Sequence, residues 1–107
     1  MIALHRDNFV TSAAPAREKA LGPEHPDVAL SLNNLAGLYD NQGKYAEAEP
    51  LYQRSLAIRE KALGPGHPSV AESLENYAAL LRATERSADA VIMELRARAI
   101  RVKHAQE

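Results

Sequence analysis

Residues 21–29 read LGPEHPDVA and residues 63–71 read LGPGHPSVA, so one unusual phrase occurs twice with an offset of 42 positions. In each copy a glycine followed by proline ends a helix, because glycine adopts the left-handed conformation and proline cannot continue the helix. A second proline, Pro26 or Pro68, suits the first turn of the next helix, where its missing N–H costs nothing. The phrase therefore predicts a helix end followed by a helix start.

The repeat extends well beyond this phrase. When residues 17–62 are aligned with residues 59–104, 23 of the 46 pairs are identical. Apolar residues recur in each copy at steps of three and four, as in Val28, Leu32 and Leu35, which is the period of an amphipathic helix. The spacing predicts main helices over about 26–41, 46–63, 68–84 and 88–103, and a shorter helix over about 13–21.

The turn inside each copy is less uniform. Segment 41–44 contains Gly43 and is typical of a helix break, whereas segment 84–87 has no glycine. We therefore expect Ser87 to cap the last helix. Pro50 stands early in the second helix, where we expect a slight kink or a late start and no break.

Composition limits the classes of function. The chain has 107 residues, 25% charged residues and a net charge of -1, which gives no field strong enough to gather nucleic acid or an anionic membrane. It has no cysteine, which excludes disulfides and cysteine-based metal sites and fits the cytoplasmic location that we expect. The opening MIALHRDNFV is too polar for a signal peptide, and no window predicts a membrane span.

A period of 42 suits several kinds of helical repeat, so residue detail has to decide between them. The stretch 34–39 reads NLAGLY and is followed by Gly43, Tyr45, Ala48, Leu51, Tyr52 and Leu56. This pattern resembles the hairpin of a tetratricopeptide repeat, and the longer phrase over 21–63 is similar to the 42-residue repeats of kinesin light chains. Ala36 and Ala48 would be the small residues that let two helices approach. The resemblance implies an all-α fold of antiparallel hairpins stacked as a short right-handed α-solenoid.

Three segments follow from the resemblance and the period. We predict an N-terminal stub over 1–21 that holds the remnant second helix of a preceding repeat, a first repeat over 22–63, and a second repeat over 64–107. The second repeat departs from the family pattern in its last helix, and its end, RARAIRVKHAQE, is interpreted as a solubilising C-terminal cap. Two full hairpins are fewer than the roughly three repeats that such arrays need, so either the N-terminal stub contributes or the chain self-associates; self-association into a homo-oligomer is the favoured alternative.

Catalytic chemistry has no support in the sequence. No glycine-rich phosphate loop, HExxH motif or triad-like arrangement occurs, so we predict neither enzymatic activity nor a cofactor. His25 and His67 recur one repeat apart but lack a third ligand, which argues against a metal site. Turn geometry and capping explain His67. The basic residues near the C-terminus complement a helix dipole and do not predict nucleic-acid binding.

The resemblance implies that a partner protein or peptide binds the concave surface made by the first helix of each repeat. Asparagine amides suit this task, because each donates and accepts hydrogen bonds as a peptide backbone does. The family pattern places Leu30, Asn33, Asn34, Gly37, Asp40 and Asn41 on the inner side of the first helix. The third helix contributes Glu72, Glu75, Asn76, Ala79, Arg82 and Ala83. The candidate contact residues are Asn33, Asn34, Gly37, Asn41, Glu72, Glu75, Asn76 and Arg82.

Asn34 and Asn76 are the best candidates, because they are the asparagine pair found at matching positions of both copies. The alternative that they stabilise neighbouring backbone stays open. Gly37 also has two interpretations, room for a ligand or tight helix packing, since Ala79 takes its place in the second copy. The charges on this surface favour a basic or neutral peptide. The alternative function is a structural segment that oligomerises and fills the groove with its own kind.

Overall fold

The computed structural model describes residues 22–106. Over this range the chain forms four α-helices, which are α1 (Pro26–Asn41), α2 (Tyr45–Leu63), α3 (Pro68–Ala83) and α4 (Ser87–Ala105). Helix α1 packs against α2, α3 packs against α4, and α2 joins the two hairpins by packing against α3. The predicted all-α fold of stacked helical hairpins is confirmed. The expected stub over 1–21 and the short helix over 13–21 lie outside the described residues.

Each repeat starts with the same cap. His25 precedes Pro26, and its Nδ1 accepts a hydrogen bond of 3.1 Å from the backbone N–H of Asp27. In the second copy, Nδ1 of His67 accepts a bond of 3.0 Å from the N–H of Ser69. Both imidazoles satisfy a backbone donor that a helix start leaves without a partner. The capping role expected for His67 is confirmed.

Helix α1 ends in a two-bond turn around glycine. The N–H of Gly43 donates to the carbonyl of Asp40 at 2.9 Å, and the N–H of Lys44 donates to the carbonyl of Tyr39 at 2.8 Å. This is a Schellman motif, whose residue after the cap adopts the left-handed conformation. Gly43 has a φ of 76°, which glycine adopts without strain.

Helix α3 ends in the same turn, but without glycine. The N–H of Glu85 donates to the carbonyl of Arg82 at 3.2 Å, and the N–H of Arg86 donates to the carbonyl of Leu81 at 2.7 Å. The duplicated turn thus forces Glu85 to a φ of 63°, a conformation that costs an L-residue about 1–2 kcal/mol.

Replacing Glu85 by glycine should therefore stabilise the protein. We expect Glu85→Gly to raise the free energy of unfolding by about 0.5–1 kcal/mol, because the relief of strain exceeds the added entropy of an unfolded glycine. Urea denaturation followed by circular dichroism measures the change. The matched control is Gly43→Ala, which should lower stability by about 1 kcal/mol at the equivalent position. Equal stabilities of Glu85→Gly and the natural chain would contradict the assignment of strain.

Two local expectations need correction. Ser87 is the first residue of α4 and not its cap, since Arg86 occupies the N-cap position and makes no side-chain capping bond. The carbonyl of Arg86 accepts the first hydrogen bond of the helix, from the N–H of Ala90 at 3.1 Å. Helix α2 starts at Tyr45, one residue before the predicted start, and runs through Pro50 without a break.

Small residues lie where the helices of each hairpin cross. Ala36 and Ala48 are fully buried in the first hairpin, and their equivalents Ala78 and Ala90 are buried in the second. Larger side chains fill the space beside them, including Tyr52 and Tyr77, which pack in the same cluster. The expected role of alanine in close helix approach is confirmed.

A buried serine ties the first hairpin together. Ser55 is fully buried, and its hydroxyl donates a hydrogen bond of 2.8 Å to the backbone carbonyl of Ala29 in α1. Alanine takes the same place in the second copy, at Ala97, where no hydroxyl needs a partner. None of the helices within residues 22–106 is both long and apolar enough to cross a membrane.

Candidate functional site

A cleft of about 370 Å³ opens where α1, α2 and α3 meet. Four asparagines line it together with a glycine, a leucine and a tyrosine. The lining residues are Asn33, Asn34, Gly37, Leu38, Asn41, Tyr52 and Asn76. We call this the asparagine cleft. It brings together five of the eight predicted contact residues, and it joins the first repeat to the second through Asn76.

The two hairpins contact each other at the floor of the asparagine cleft. The Nδ2 of Asn76 donates a hydrogen bond of 3.4 Å to Oδ1 of Asn33, whose side chain is mostly buried. Asn34 is exposed, and its side chain makes no hydrogen bond within residues 22–106. The amide of Asn34 is therefore available to a ligand, whereas Asn33 and Asn76 already share one bond.

A tyrosine hydroxyl forms part of the cleft wall. Tyr52 is buried except for this end, and its hydroxyl donates to Oδ2 of Asp40 at 3.4 Å. Burial, and then the neighbouring negative charge of Asp40, raise the pKa of Tyr52 to about 12. The phenol thus stays protonated at neutral pH, and because its O–H donates to Asp40, its oxygen presents a neutral acceptor to the cleft.

Gly37 lines the cleft without a side chain, and helix packing does not require glycine at this position. A methyl group added at this position would meet the hydroxyl of Tyr52 at 3.8 Å, which is ordinary van der Waals contact. Tight helix packing therefore does not require glycine here. The second repeat has the exposed Ala79 at the equivalent position. Room for a ligand beside the backbone of Gly37 stays a prediction.

The three charged candidate residues lie outside the cleft lining. Each pairs with a side chain on a neighbouring helix: Glu72 with Arg59 at 3.4 Å, Glu75 with Arg101 at 2.7 Å, and Arg82 with Glu94 at 2.8 Å. The hydrogen bond from Arg101 lowers the pKa of Glu75 against a smaller opposing effect of burial. Each of these charges is partly neutralised by its partner. None of them lines the cleft, so the lining carries no charged side chain.

A second polar network supports the junction behind the cleft. The hydroxyl of Tyr77 donates to Glu49 at 2.8 Å and accepts from Gln53 at 2.8 Å, while Arg86 pairs with the same carboxylate at 2.7 Å. The hydrogen bond from Arg86 holds the pKa of Glu49 below its ordinary value, although burial opposes this shift. Side chains from α2, α3 and the turn between α3 and α4 therefore fix the position of α3 against α2.

Leu38 and Tyr52 are the lining residues that the sequence pattern did not place in the site. In the sequence Tyr52 is only part of the tetratricopeptide-like pattern, and its ring packs in the core. The signal that could have identified it is the pairing of a long side chain on α2 with Gly37 on α1, which lets the hydroxyl reach the cleft. Leu38 is more than a third exposed at the cleft edge.

The described residues contain no cluster of three or more histidines, cysteines, aspartates or glutamates that could hold a metal ion. His25 and His67 use Nδ1 to cap their helices, one in each repeat. The site consists of hydrogen-bonding amides and a phenol, which are groups that can form hydrogen bonds with another molecule.

The fold and this interhelical cleft define a protein built of stacked helical hairpins, which is the architecture of helical repeats. Residues 28–69 match the family model described as tetratricopeptide repeat, and this span has the 42-residue period seen in the sequence. This part of the chain is therefore similar to one tetratricopeptide repeat, and helices α3 and α4 form a second helical hairpin. Repeats of this class are typically modules for protein–protein interaction.

Similar sequences occur in larger proteins. A stretch of 39 residues is 51% identical to part of nephrocystin-3 from Xenopus laevis and to part of nephrocystin-3 from Mus musculus. The human nephrocystin-3 is 49% identical over the same length. The match covers 36% of this chain and only 3% of each relative. The likeness thus concerns one repeat and not the activity of the whole relative.

Proposed function

We propose that this chain binds an extended peptide segment of a partner protein in the asparagine cleft and has no catalytic activity of its own. The observation that carries the proposal is the convergence of four asparagine side chains on one cleft, with the amide of Asn34 open to a ligand. A primary amide donates and accepts at once, so it can bond the N–H and the carbonyl of a peptide backbone. A cytoplasmic location, which a chain without cysteine permits, belongs to the same proposal.

The cleft favours recognition of backbone over recognition of charge. Glu72, Glu75 and Arg82 are engaged by neighbouring helices, which removes most of the basis for choosing a basic peptide. Leu38 provides one apolar contact at the edge, and the hydroxyl oxygen of Tyr52 provides a neutral acceptor. The proposed ligand is therefore an uncharged extended segment with small side chains beside Gly37. One cleft of this size supports modest affinity.

The proposal predicts that Asn34→Ala weakens peptide binding about fivefold to tenfold without loss of stability. One hydrogen bond is worth about 0.5–1.5 kcal/mol, and the exposed Asn34 makes none within residues 22–106 that folding would lose. A random peptide library displayed on phage is selected on the full chain, and selected peptides are titrated by fluorescence anisotropy. Gln42→Ala is the control, because Gln42 is an exposed amide outside the lining. Equal effects of both variants would contradict the site.

Gly37→Ala separates binding from stability more sharply. Alanine in a helix interior is favoured over glycine, so this variant should unfold at higher temperature, with a gain of about 0.5–1 kcal/mol. The same methyl group narrows the cleft and should weaken binding of the selected peptides. Thermal melts and anisotropy titrations on one preparation measure both effects. Unchanged affinity in a stabilised Gly37→Ala would show that the peptide lies elsewhere.

A further inference from the structure

Helix α4 exposes an apolar stripe on the side that faces away from α3. Its exposed apolar side chains are Val91, Ile92, Leu95 and Val102, with exposed fractions of 44%, 56%, 59% and 50%. With 100° between successive residues, Val91, Leu95, Arg98 and Val102 fall on one line, and Ile92 and Ala99 flank it on one side. We call these six residues the α4 stripe. Water-exposed apolar groups in such a row indicate an interaction surface.

The internal repeat shows what this side of the helix does elsewhere in the chain. Residues of α2 that lie 42 positions earlier face α3: Gln53 bonds Tyr77, and Leu56 packs in one cluster with Val70. The corresponding residues of α4 are Leu95 and Arg98. The α4 stripe therefore occupies the place where a further helix docks, and it carries apolar Val91, Leu95 and Val102 where α2 carries polar residues.

We propose that the α4 stripe binds the α4 stripe of a second copy of this chain, with the two helices antiparallel. The central residues Val91, Leu95, Arg98 and Val102 are separated by four, three and four positions, so their spacing is the same in both directions along the helix. Reversal of one helix places Val91 opposite Val102 of the second copy and Leu95 opposite Arg98 of the second copy. The stem of Arg98 covers leucine while its guanidinium reaches water. A self-complementary surface of this kind closes as a two-fold dimer.

Charge on the flank supports the same arrangement. Glu94 and Arg101 lie on the side of the stripe opposite to Ile92, and reversal brings Glu94 of one copy near Arg101 of the other. Their present partners, Arg82 and Glu75, are about half exposed, which leaves room for a second contact. In a parallel pair, the charged flank with Glu94 and Arg101 would instead face the apolar flank with Ile92 of the other copy. Opposite charges therefore favour the antiparallel dimer over the parallel one.

A second cleft beside the stripe would be covered by the same contact. It measures about 420 Å³ and is lined by Glu75, Glu94, Arg98, Arg101, Val102 and Ala105. None of these residues lines the asparagine cleft. Dimerisation through α4 thus leaves the proposed peptide site open in both copies, and loss of one property would not remove the other.

Light scattering of the full chain from low micromolar to millimolar concentration tests the dimer. We expect the mass to rise from one chain to two, and the double variant Val91→Glu, Leu95→Gln to raise the dissociation constant at least about tenfold. Both substitutions copy the residues that α2 carries at these positions, Glu49 and Gln53, so the helix should fold. The control Leu30→Glu copies Glu72 at an exposed leucine outside the stripe and should leave the dissociation constant unchanged.

Single cysteines test the orientation, because the chain contains none of its own. A mixture of Val91→Cys and Val102→Cys should form mixed disulfide pairs under mild oxidation, while each variant alone should crosslink poorly. Asp89→Cys, off the stripe, is the control. A monomer at millimolar concentration, a larger oligomer, or a dimer unaffected by the double variant would overturn the proposal. Efficient crosslinking of Val91→Cys with itself would overturn the antiparallel arrangement.

Discussion

Replacement of Arg59 by methionine is expected to lower the free energy of unfolding by about 2–4 kcal/mol. The guanidinium is buried at the junction of the two hairpins, with 6% of the side chain exposed. It donates to the carbonyl of Ser69 at 3.1 Å and to the hydroxyl of Ser73 at 3.0 Å. Methionine fills similar space and has similar helix propensity. The loss therefore comes from buried acceptors left without a donor, together with a broken ion pair to Glu72.

The matched control for this prediction lies in the same chain. Arg101 occupies the equivalent position of the second repeat, but its side chain is 48% exposed and pairs only with Glu75 among the partners described. Arg101→Met should cost about 0–1 kcal/mol, as expected of an exposed ion pair. Urea denaturation of both variants gives the comparison. If Arg59→Met is unfolded in buffer, its unfolding is measured in a stabilising osmolyte, and the milder variant Arg59→Lys is measured in buffer. Equal losses for the two arginines would contradict the role of the junction.

The contrast between these arginines shows what a period can and cannot predict. Glycine and proline fix where helices stop and start through local geometry, so the bounds of α1 were predicted to the residue and the others within two residues. The burial of a side chain depends on the next helix in the stack. Identical residues one period apart therefore differ in burial wherever α3 covers the first repeat and nothing within residues 22–106 covers the second.

The candidate site was predicted in the same uneven way. Asparagine and glycine positions depend on helical phase, so five of the predicted residues meet in one cleft. Glu72, Glu75 and Arg82 have long side chains, and their direction depends on opposite charges on neighbouring helices. Helical phase does not contain that information. The positive φ of Glu85 was also not predicted from the sequence, because only the pair of turn hydrogen bonds shows that this position needs a left-handed residue.

The exposed stripe of α4 modifies the expectation of a solubilising C-terminal cap. The predicted cap over 96–107 does carry exposed cations, but Val102 is half exposed among them, and Leu95 precedes them with a larger exposed fraction. Polar and apolar side chains share this surface. Solubilisation stays a prediction for the charged residues, whereas the apolar row is better explained by association. Both properties can coexist on a helix whose flank is charged and whose centre is not.

Replacement of Leu80 by alanine is the second change with a large expected effect, about 3–4 kcal/mol of lost stability. Leu80 is fully buried in the cluster that joins the hairpins, so alanine leaves a cavity that its packed neighbours cannot fill. Leu38 is its equivalent in the first repeat and is 36% exposed, so Leu38→Ala should cost only about 1 kcal/mol. Thermal and urea unfolding measure both variants, and a difference below about 1 kcal/mol would contradict the importance of hairpin docking.

The same variant connects stability with the proposed binding. The asparagine cleft takes Asn33 and Asn34 from the first hairpin and Asn76 from the second, so it exists only while the hairpins are docked. In Leu80→Ala the apparent affinity for a selected peptide should fall in proportion to the fraction of chains whose hairpins stay docked. A stabilising osmolyte should restore it. Asn34→Ala should not recover under the same treatment, because its loss is a missing contact. Recovery of both variants would show that Asn34 acts on the fold and not on the peptide.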